Sequence, residues 1–292
     1  MTAYRFCRTD DMALLVEAYE HCRGPEDVDA PALDRAGFKE LVRELDLWCS
    51  SCMVALEGRE PVGVLLGAKR AEATLVYGLR VHPAHRRRGH GRHLLTSLGQ
   101  KLAILGPPRL VAEVPVERAP ARALFTACHW RSETRLVDWR RTGAALPRGS
   151  TSEIDPRTQV AVGSITLEEA TDSGLLEGSR CWQRDLPSLR KQSEKLLGLG
   201  FHSSERLEAC LLSRPGTSPT SGWEILAAGF TDSELGRLGL RVSLTELERQ
   251  AGDAPLLLPR VAPVELDAAL LTELFFEPGP EHLLFATEAK AA

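Results

Sequence analysis

Arg86-Arg87-Arg88-Gly89-His90-Gly91 places three guanidinium groups and two glycines within six consecutive residues. Before it runs Thr74–Val81, an apolar and β-branched stretch that reads as a buried strand. After it, Leu94, Leu95, Leu98, Leu102 and Leu105 recur at helical spacing with Arg92, Thr96, Gln100 and Lys101 between them. A basic, glycine-rich turn therefore joins a strand to the start of a helix. Unpaired backbone N–H groups and the positive end of the helix dipole make an anion site there. Glycine lets an anion approach the backbone without a Cβ in the way, and the arginines add charge at the rim. This is chemistry suited to a pyrophosphate. A Walker loop is excluded because no Gly-Lys-Ser/Thr follows, and a dinucleotide fingerprint lacks its third glycine, since Leu94 stands at that position.

The segment resembles the acetyl-CoA signature of the GCN5-related N-acetyltransferase (GNAT) superfamily, Gln/Arg-x-x-Gly-x-Gly/Ala. Arg86, Gly89 and Gly91 fill its fixed positions, and Val81-His82-Pro83 stands where the family commonly has Val-x-Pro.

The elements needed to position such a turn can be read along the chain. Tyr4–Arg8 reads as a short strand, with Thr9-Asp10 capping a helix through about His21. A second amphipathic helix covers about Ala32–Leu47, and Cys52–Glu57 and Val62–Lys69 flank Gly58-Arg59-Glu60-Pro61 as a hairpin. The strand ending at Val81, the turn and its helix come next. A strand at Leu110–Val114, a helix at Arg118–Cys128 and a closing strand at Glu133–Trp139 follow. This order is the one the GNAT resemblance implies for residues 3–142. Gly143–Pro156 is rich in small residues and breakers and reads as a linker.

Beyond the linker, a strand is expected at Val162–Leu167, with helices at Asp172–Gln183 and Leu186–Leu197. A hairpin of Arg206–Ser213 and Trp223–Phe230, a long helix at Glu234–Gln250, a strand at Leu256–Val261, a helix at Glu265–Phe276 and a strand at His282–Ala286 complete the chain. This succession repeats the back half of the first lobe, but no Arg-x-x-Gly-x-Gly precedes the long helix. The expected fold class is α/β with a mixed sheet: a GNAT domain over 1–143, a linker over 144–160, and a degenerate GNAT-like domain over 161–292.

Charge and composition narrow the function. Residues 1–143 carry 22 Lys and Arg against 18 Asp and Glu, a net +4, while the remainder carries −8. A mildly positive first lobe suits a polyanionic ligand and is too weak for a nucleic-acid footprint. No apolar run approaches the ~18 residues of a membrane span, and the start lacks the features of a signal or transit peptide, so a cytoplasmic protein is expected. Seven scattered cysteines argue against a disulfide framework, and Cys49-Ser50-Ser51-Cys52 has no second ligand pair to make a zinc site. His82, His85, His90 and His93 straddle the turn and are read as donors to phosphate or solvent, with no metal expected.

The resemblance implies a mechanism and its residues. The backbone of Leu79-Arg80-Val81 would bind the pantetheine arm of acetyl-CoA, and Arg86, Arg87, Arg88, Gly89, His90, Gly91 and Arg92 would hold its pyrophosphate. An amine would attack the thioester directly, which requires loss of an ammonium proton, protonation of a thiolate, and an oriented N–H for the oxyanion. The family's Asn-x-x-Ala-x-x-Leu-Tyr-x-x-x-Gly-Phe motif places Arg118 at its Asn, Phe125 at its Tyr and His129-Trp130 at its Gly-Phe, so the tyrosine that commonly protonates the thiolate is absent. Water, Cys128 or another residue must then serve, and Glu72, Tyr77, Glu113 and Glu117 are the candidate groups near the reaction centre, with Tyr77 taken as the catalytic or substrate contact.

The two-lobed arrangement is further similar to the vertebrate histidine N-acetyltransferase type, through Leu75–Pro83, Trp223-Glu-Ile-Leu and Leu274–Pro278. That likeness implies a small-molecule acceptor, the α-amine of a free amino acid such as histidine. A glutamate commonly stands at the place of Tyr77 there. The alternatives are another small amine, a protein N-terminus, or an acetyl-CoA-binding regulatory module without catalysis. A homo-oligomer is compatible with the sequence.

Overall fold

In the computed structural model, residues 1–28, 31–142, 160–178, 180–216 and 222–289 are described. The chain forms two units, Met1–Arg135 with His282–Ala292, and Leu136–Glu281.

The first unit is a sheet with two helices on each face. Its strands are β1 (Thr2–Phe6), β2 (Met53–Glu57), β3 (Glu60–Lys69), β4 (Ala73–Val81) and β5 (Arg109–Pro115), in that spatial order. Its helices are α1 (Met12–His21), α2 (Arg35–Leu45), α3 (His90–Leu105) and α4 (Ala119–Ala127). β1 to β4 pair antiparallel, and β4 and β5 pair parallel. The period of two along each strand divides the core. Val54, Val64 and Leu66 pack with Leu15, Ala18 and Phe38 of α1 and α2. Met53, Leu65, Ala112 and Val114 pack with Leu94, Leu98 and Leu102 of α3 and with Phe125 of α4. Each fully buried leucine here contributes about 1.5–3 kcal/mol. Asp34 starts α2 by accepting from the Gly37 N–H, and Gly58, at φ 62, turns β2 into β3.

The second unit repeats that pattern. It holds β6 (Arg131–Arg141) from Leu136 onward, β7 (Ala161–Ser164), β8 (Leu197–His202), β9 (Leu207–Pro215), β10 (Trp223–Phe230) and β11 (Leu256–Val261). Its helices are α5 (Leu167–Asp172), α6 (Leu186–Lys191), α7 (Glu234–Ala251) and α8 (Ala268–Glu273). β7 to β10 form an antiparallel meander, β10 and β11 pair parallel, and β6 pairs antiparallel with β11.

Three expectations change. The helix expected at Asp172–Gln183 is replaced by α5, which starts earlier because Thr166 and Glu169 form a capping box. Gly174, at positive φ just past the Ser173 C-cap, then stops the helix. The helix expected to run to Leu197 ends at Lys191, and Leu197 opens β8.

The closing strands are exchanged. β5 pairs along its whole length with His282–Glu288, the end of β12 (Glu277–Glu288), rather than with Glu133–Trp139. Leu283 and Phe285 thereby enter the α3–α4 core, whereas Val137 and Trp139 enter the core of the second unit. The units accordingly divide at 135/136 and 281/282, and the linker expected over 144–160 lies outside the described residues except for Val160.

Candidate active site

β4 and β5 share a ladder only where Ala73, Thr74 and Leu75 face Arg109, Leu110 and Val111. Past that point β4 continues to Val81 and β5 to Pro115 with no ladder between them. A bulge in β4 falls at the parting, because Gly67 faces Val76 and Leu66 faces Gly78, which leaves Tyr77 unopposed. Past Leu75, β4 stays paired with β3 while the β5 ladder no longer covers its other edge.

The basic turn closes this split at its C-terminal end. Pro83–His85 makes one 3-10 turn, Arg87 (φ 65) and Gly89 (φ 90) take left-handed conformations, and α3 begins at His90. A Cβ on Gly89 would meet nothing within 4 Å, so the space over the turn is open. Gly91 differs, being buried with its Cβ position 2.9 Å from Leu124 Cδ2. It is needed for the packing of α3 on α4. The first N–H groups of α3 have no acceptor within the helix, and the earliest helical bond here runs from the His93 N–H to the Gly89 carbonyl. Arg87, Arg88 and Arg92 are exposed around them. Arg86 donates from Nε to the Val81 carbonyl at 3.1 Å and spans the Glu26 carboxylate with both terminal nitrogens, at 3.2 and 2.5 Å.

A second charged group stands at the mouth of the split. Asp27, 3% exposed, accepts from Arg118 at 2.8 Å and lies 3.3 Å from Arg80 Nε. Arg80 is the penultimate residue of β4 and Arg118 follows β5, so the two parted strands each send a guanidinium to one carboxylate. Arg80 also donates to the Tyr19 carbonyl at 2.8 Å and lies 3.6 Å above the Tyr19 ring. Burial works to raise the Asp27 carboxyl, but the Arg118 hydrogen bond and the nearby guanidinium charges hold it below its ordinary value. Burial pushes the Tyr19 phenol up to about 12.

The structure sorts the expected residues. Leu79, Arg80 and Val81 line the unladdered stretch of β4, and Arg86–Arg92 form the turn. Tyr77 is half-buried in the bulge and packs toward α1 and α2. Glu113 lies on β5 past the parting, and Glu117 is exposed in the turn before α4. Glu72 sits ahead of β4 at the opposite end of that strand, away from the split. Phe125 is core, packed edge-on to Trp130 at 5.0 Å and stacked with Phe285 at 5.6 Å between centroids. His129 takes φ 63, the conformation that glycine adopts without strain. Burial raises the Cys128 thiol. The Cys49–Cys52 segment is a 3-10 turn whose thiols are free, and burial raises both.

Glu26, Asp27 and Tyr19 are the residues that sequence reasoning missed. Their arginine partners lie more than 50 residues away, so no local spacing could have shown them.

The GNAT acetyltransferase family model matches residues 13–130. Residues 13–130 are a GNAT acetyltransferase domain. No curated protein matches the chain by sequence. A tandem GNAT protein from the clavulanic acid biosynthesis pathway is 16% identical, with a TM-score of 0.67, over 100% of both chains. A GNAT from Sphaerobacter thermophilus is 15% identical with the same TM-score, covering 100% of this chain and 96% of its own. The glucosamine N-acetyltransferase region of a fungal multi-domain GH3 β-N-acetylglucosaminidase reaches 0.74 at 14% identity, over 98% of this chain and 38% of that one. The chain therefore has the two-lobed GNAT fold, and its first lobe is an acyltransferase domain.

The second GNAT-like lobe has kept the split and filled it. β10 and β11 also share only a short parallel ladder, at Trp223–Glu224 and Leu256–Leu257, and β10 carries a register shift at the same place. Where they part, the fully buried Arg184 donates to the Leu226 carbonyl of β10 at 3.0 Å and the Pro259 carbonyl of β11 at 2.9 Å. Glu265 holds the same guanidinium with both carboxylate oxygens. The link from β10 to α7 is short, with Ser233 capping the Gly236 N–H and Asp232 adding negative charge. One carbonyl on each of the parted strands β10 and β11 is thus already occupied.

Proposed function

We propose that the chain transfers the acetyl group of acetyl-CoA to the amine of a small molecule, with a free α-amino acid such as histidine as the acceptor class. The observation that carries this reading is the parting of β4 from β5 directly ahead of an open, arginine-rich helix N-terminus. Acetyl-CoA supplies an activated thioester. In this reading the turn Arg86–Arg92 binds its pyrophosphate through the α3 N–H groups, and Leu79–Val81 bond its pantetheine amides as a strand would. A backbone N–H near the Tyr77 bulge faces the carbonyl oxygen as the amine nitrogen bonds to the carbonyl carbon and the C–S bond breaks. Tyr77 contacts the acceptor or its proton. The acceptor's ammonium loses two protons, one before it attacks and one as the amide forms, and the thiolate must gain one. Phe125 can neither take nor give a proton, so the thiolate's proton comes from water or from the protonated Cys128.

The Arg80–Asp27–Arg118 group supports an amino-acid acceptor. Asp27 already neutralises much of the two guanidinium groups, and the part of Arg118 left exposed suits the carboxylate of a small acceptor. The test follows thiol release from acetyl-CoA with free amino acids, polyamines, amino sugars and peptides. The expected result is turnover with free amino acids and loss of the preference when the carboxylate is amidated. Turnover of peptides alone would overturn the small-molecule reading, and binding of acetyl-CoA without transfer to any amine would overturn the catalytic one.

A further inference from the structure

Glu57, His85 and His90 bring a carboxylate oxygen and two imidazole nitrogens within 4.8 Å of one another. They come from three elements: the end of β2, the 3-10 turn before the arginines, and the first residue of α3. In the sequence, His85 and His90 straddle the phosphate turn and read as donors to phosphate or solvent. Glu57 lies 28 residues before His85 and reaches it only through the fold, at 3.6 Å from Nδ1. We propose that these three side chains bind a divalent transition-metal ion of the Zn²⁺ type.

The donor set is suited to such an ion. Two imidazoles and one carboxylate make a three-ligand site that leaves one tetrahedral position for water. Ligand atoms around zinc stand about 3.3 Å apart, so the group needs a contraction on the order of 1 Å. The half-exposed Glu57 and His85 side chains can supply it. His90 provides the independent sign. It is 5% exposed, its Nδ1 is engaged by the Tyr4 hydroxyl at 2.6 Å, and its Nε2 is buried with no hydrogen-bond partner. A buried ring nitrogen without a partner is costly, and a metal–nitrogen bond removes that cost.

The partners of the ligands already match those found around bound metals. Tyr4 fixes the His90 ring, and Thr2 donates to Glu57 at 3.0 Å. The charged group facing the site is Arg88, whose terminal nitrogen is 3.5 Å from His85 Nδ1. Arg88 is exposed, and the cation would take over the lone pair it now meets. A bound ion would tie the end of β2 to both sides of the Arg86–Gly89 turn.

The metal-free full-length chain is titrated with Co²⁺, whose ligand-field spectrum reports coordination, and then with Zn²⁺ as competitor. The expected result is one tetrahedral Co²⁺ per chain without thiolate bands, displaced by one Zn²⁺. Glu57→Gln and His85→Ala should each weaken binding by ten-fold or more, and Tyr4→Phe by about ten-fold through the orienting bond. His21→Ala, which touches the separate His82 and Glu60 side chains, should leave binding unchanged. Absence of binding at micromolar metal overturns the assignment. Binding that survives Glu57→Gln and His85→Ala, or a spectrum with thiolate bands, overturns it equally.

Discussion

The ion pair between Glu26 and Arg86 gives a direct way to test how the turn is used. Glu26 now occupies both terminal nitrogens of the arginine that the pyrophosphate reading requires. An incoming diphosphate must take that fork away from the carboxylate. Both side chains are 38% exposed, which limits the pair to the range of surface salt bridges, about 0.2–1 kcal/mol. Its two-pronged geometry places it near the upper end. Glu26→Gln removes the competing charge, so acetyl-CoA should bind more tightly by about two- to five-fold, since about 1.4 kcal/mol corresponds to ten-fold. The gain should shrink from low salt to 0.15 M, where the screening length is about 8 Å. Calorimetric titration of the wild type, Glu26→Gln, Arg86→Ala and the double variant completes a cycle. Arg86→Ala should weaken binding, and in that background Glu26→Gln should have no effect. Weaker binding in Glu26→Gln, or an equal gain with and without Arg86, would refute the competition.

Three further outcomes follow from the geometry. Gly89→Asp should abolish acetyl-CoA binding while costing the fold only about 1 kcal/mol for its left-handed φ, whereas Gly91→Asp should destabilise the fold by driving a carboxylate into Leu124; thermal melts and calorimetry separate the two. Phe125→Tyr should lower stability by about 1–3 kcal/mol in denaturant titrations and leave the acetyl-transfer rate unimproved, because the new hydroxyl would lie between Trp130 and Phe285; a rate gain of ten-fold would show that the position faces the thiolate after all. Asp11 is held down to about 2, first by its bonds from Arg5, and Asp27 is also depressed. Because these folded-state pKa values lie below the unfolded ones, their stabilisation is complete above about pH 4 and is lost as the pH falls toward 2. Asp11→Asn should flatten that part of a melting-temperature profile, and an unchanged acid slope would count against the ion pair.

The sequence by itself determined the local features. The Arg86–Gly91 turn between a strand and a helix, the hairpin at Gly58, and the repeat of strands and helices after the linker all depend on φ preferences and periodicity within about twenty residues. These are sufficient for the fold class and for the stretch that would hold a pyrophosphate. Tertiary structure alone decided the rest. Glu133–Trp139 and His282–Ala286 both read as strands with apolar alternation, and nothing local says which sheet each completes. The exchange is fixed by the fit of Leu283 and Phe285 against α3 and α4, and of Val137 and Trp139 against the other core. Asp27 beneath Arg80 and Arg118, Glu26 on Arg86, Arg184 filling the second split, and Glu57 beside His85 and His90 are likewise pairings across 28 to 91 residues. Charges at such separations meet only after the sheet has closed, because burial and hydrogen-bond geometry select the partner and the chain between them carries no record of the choice.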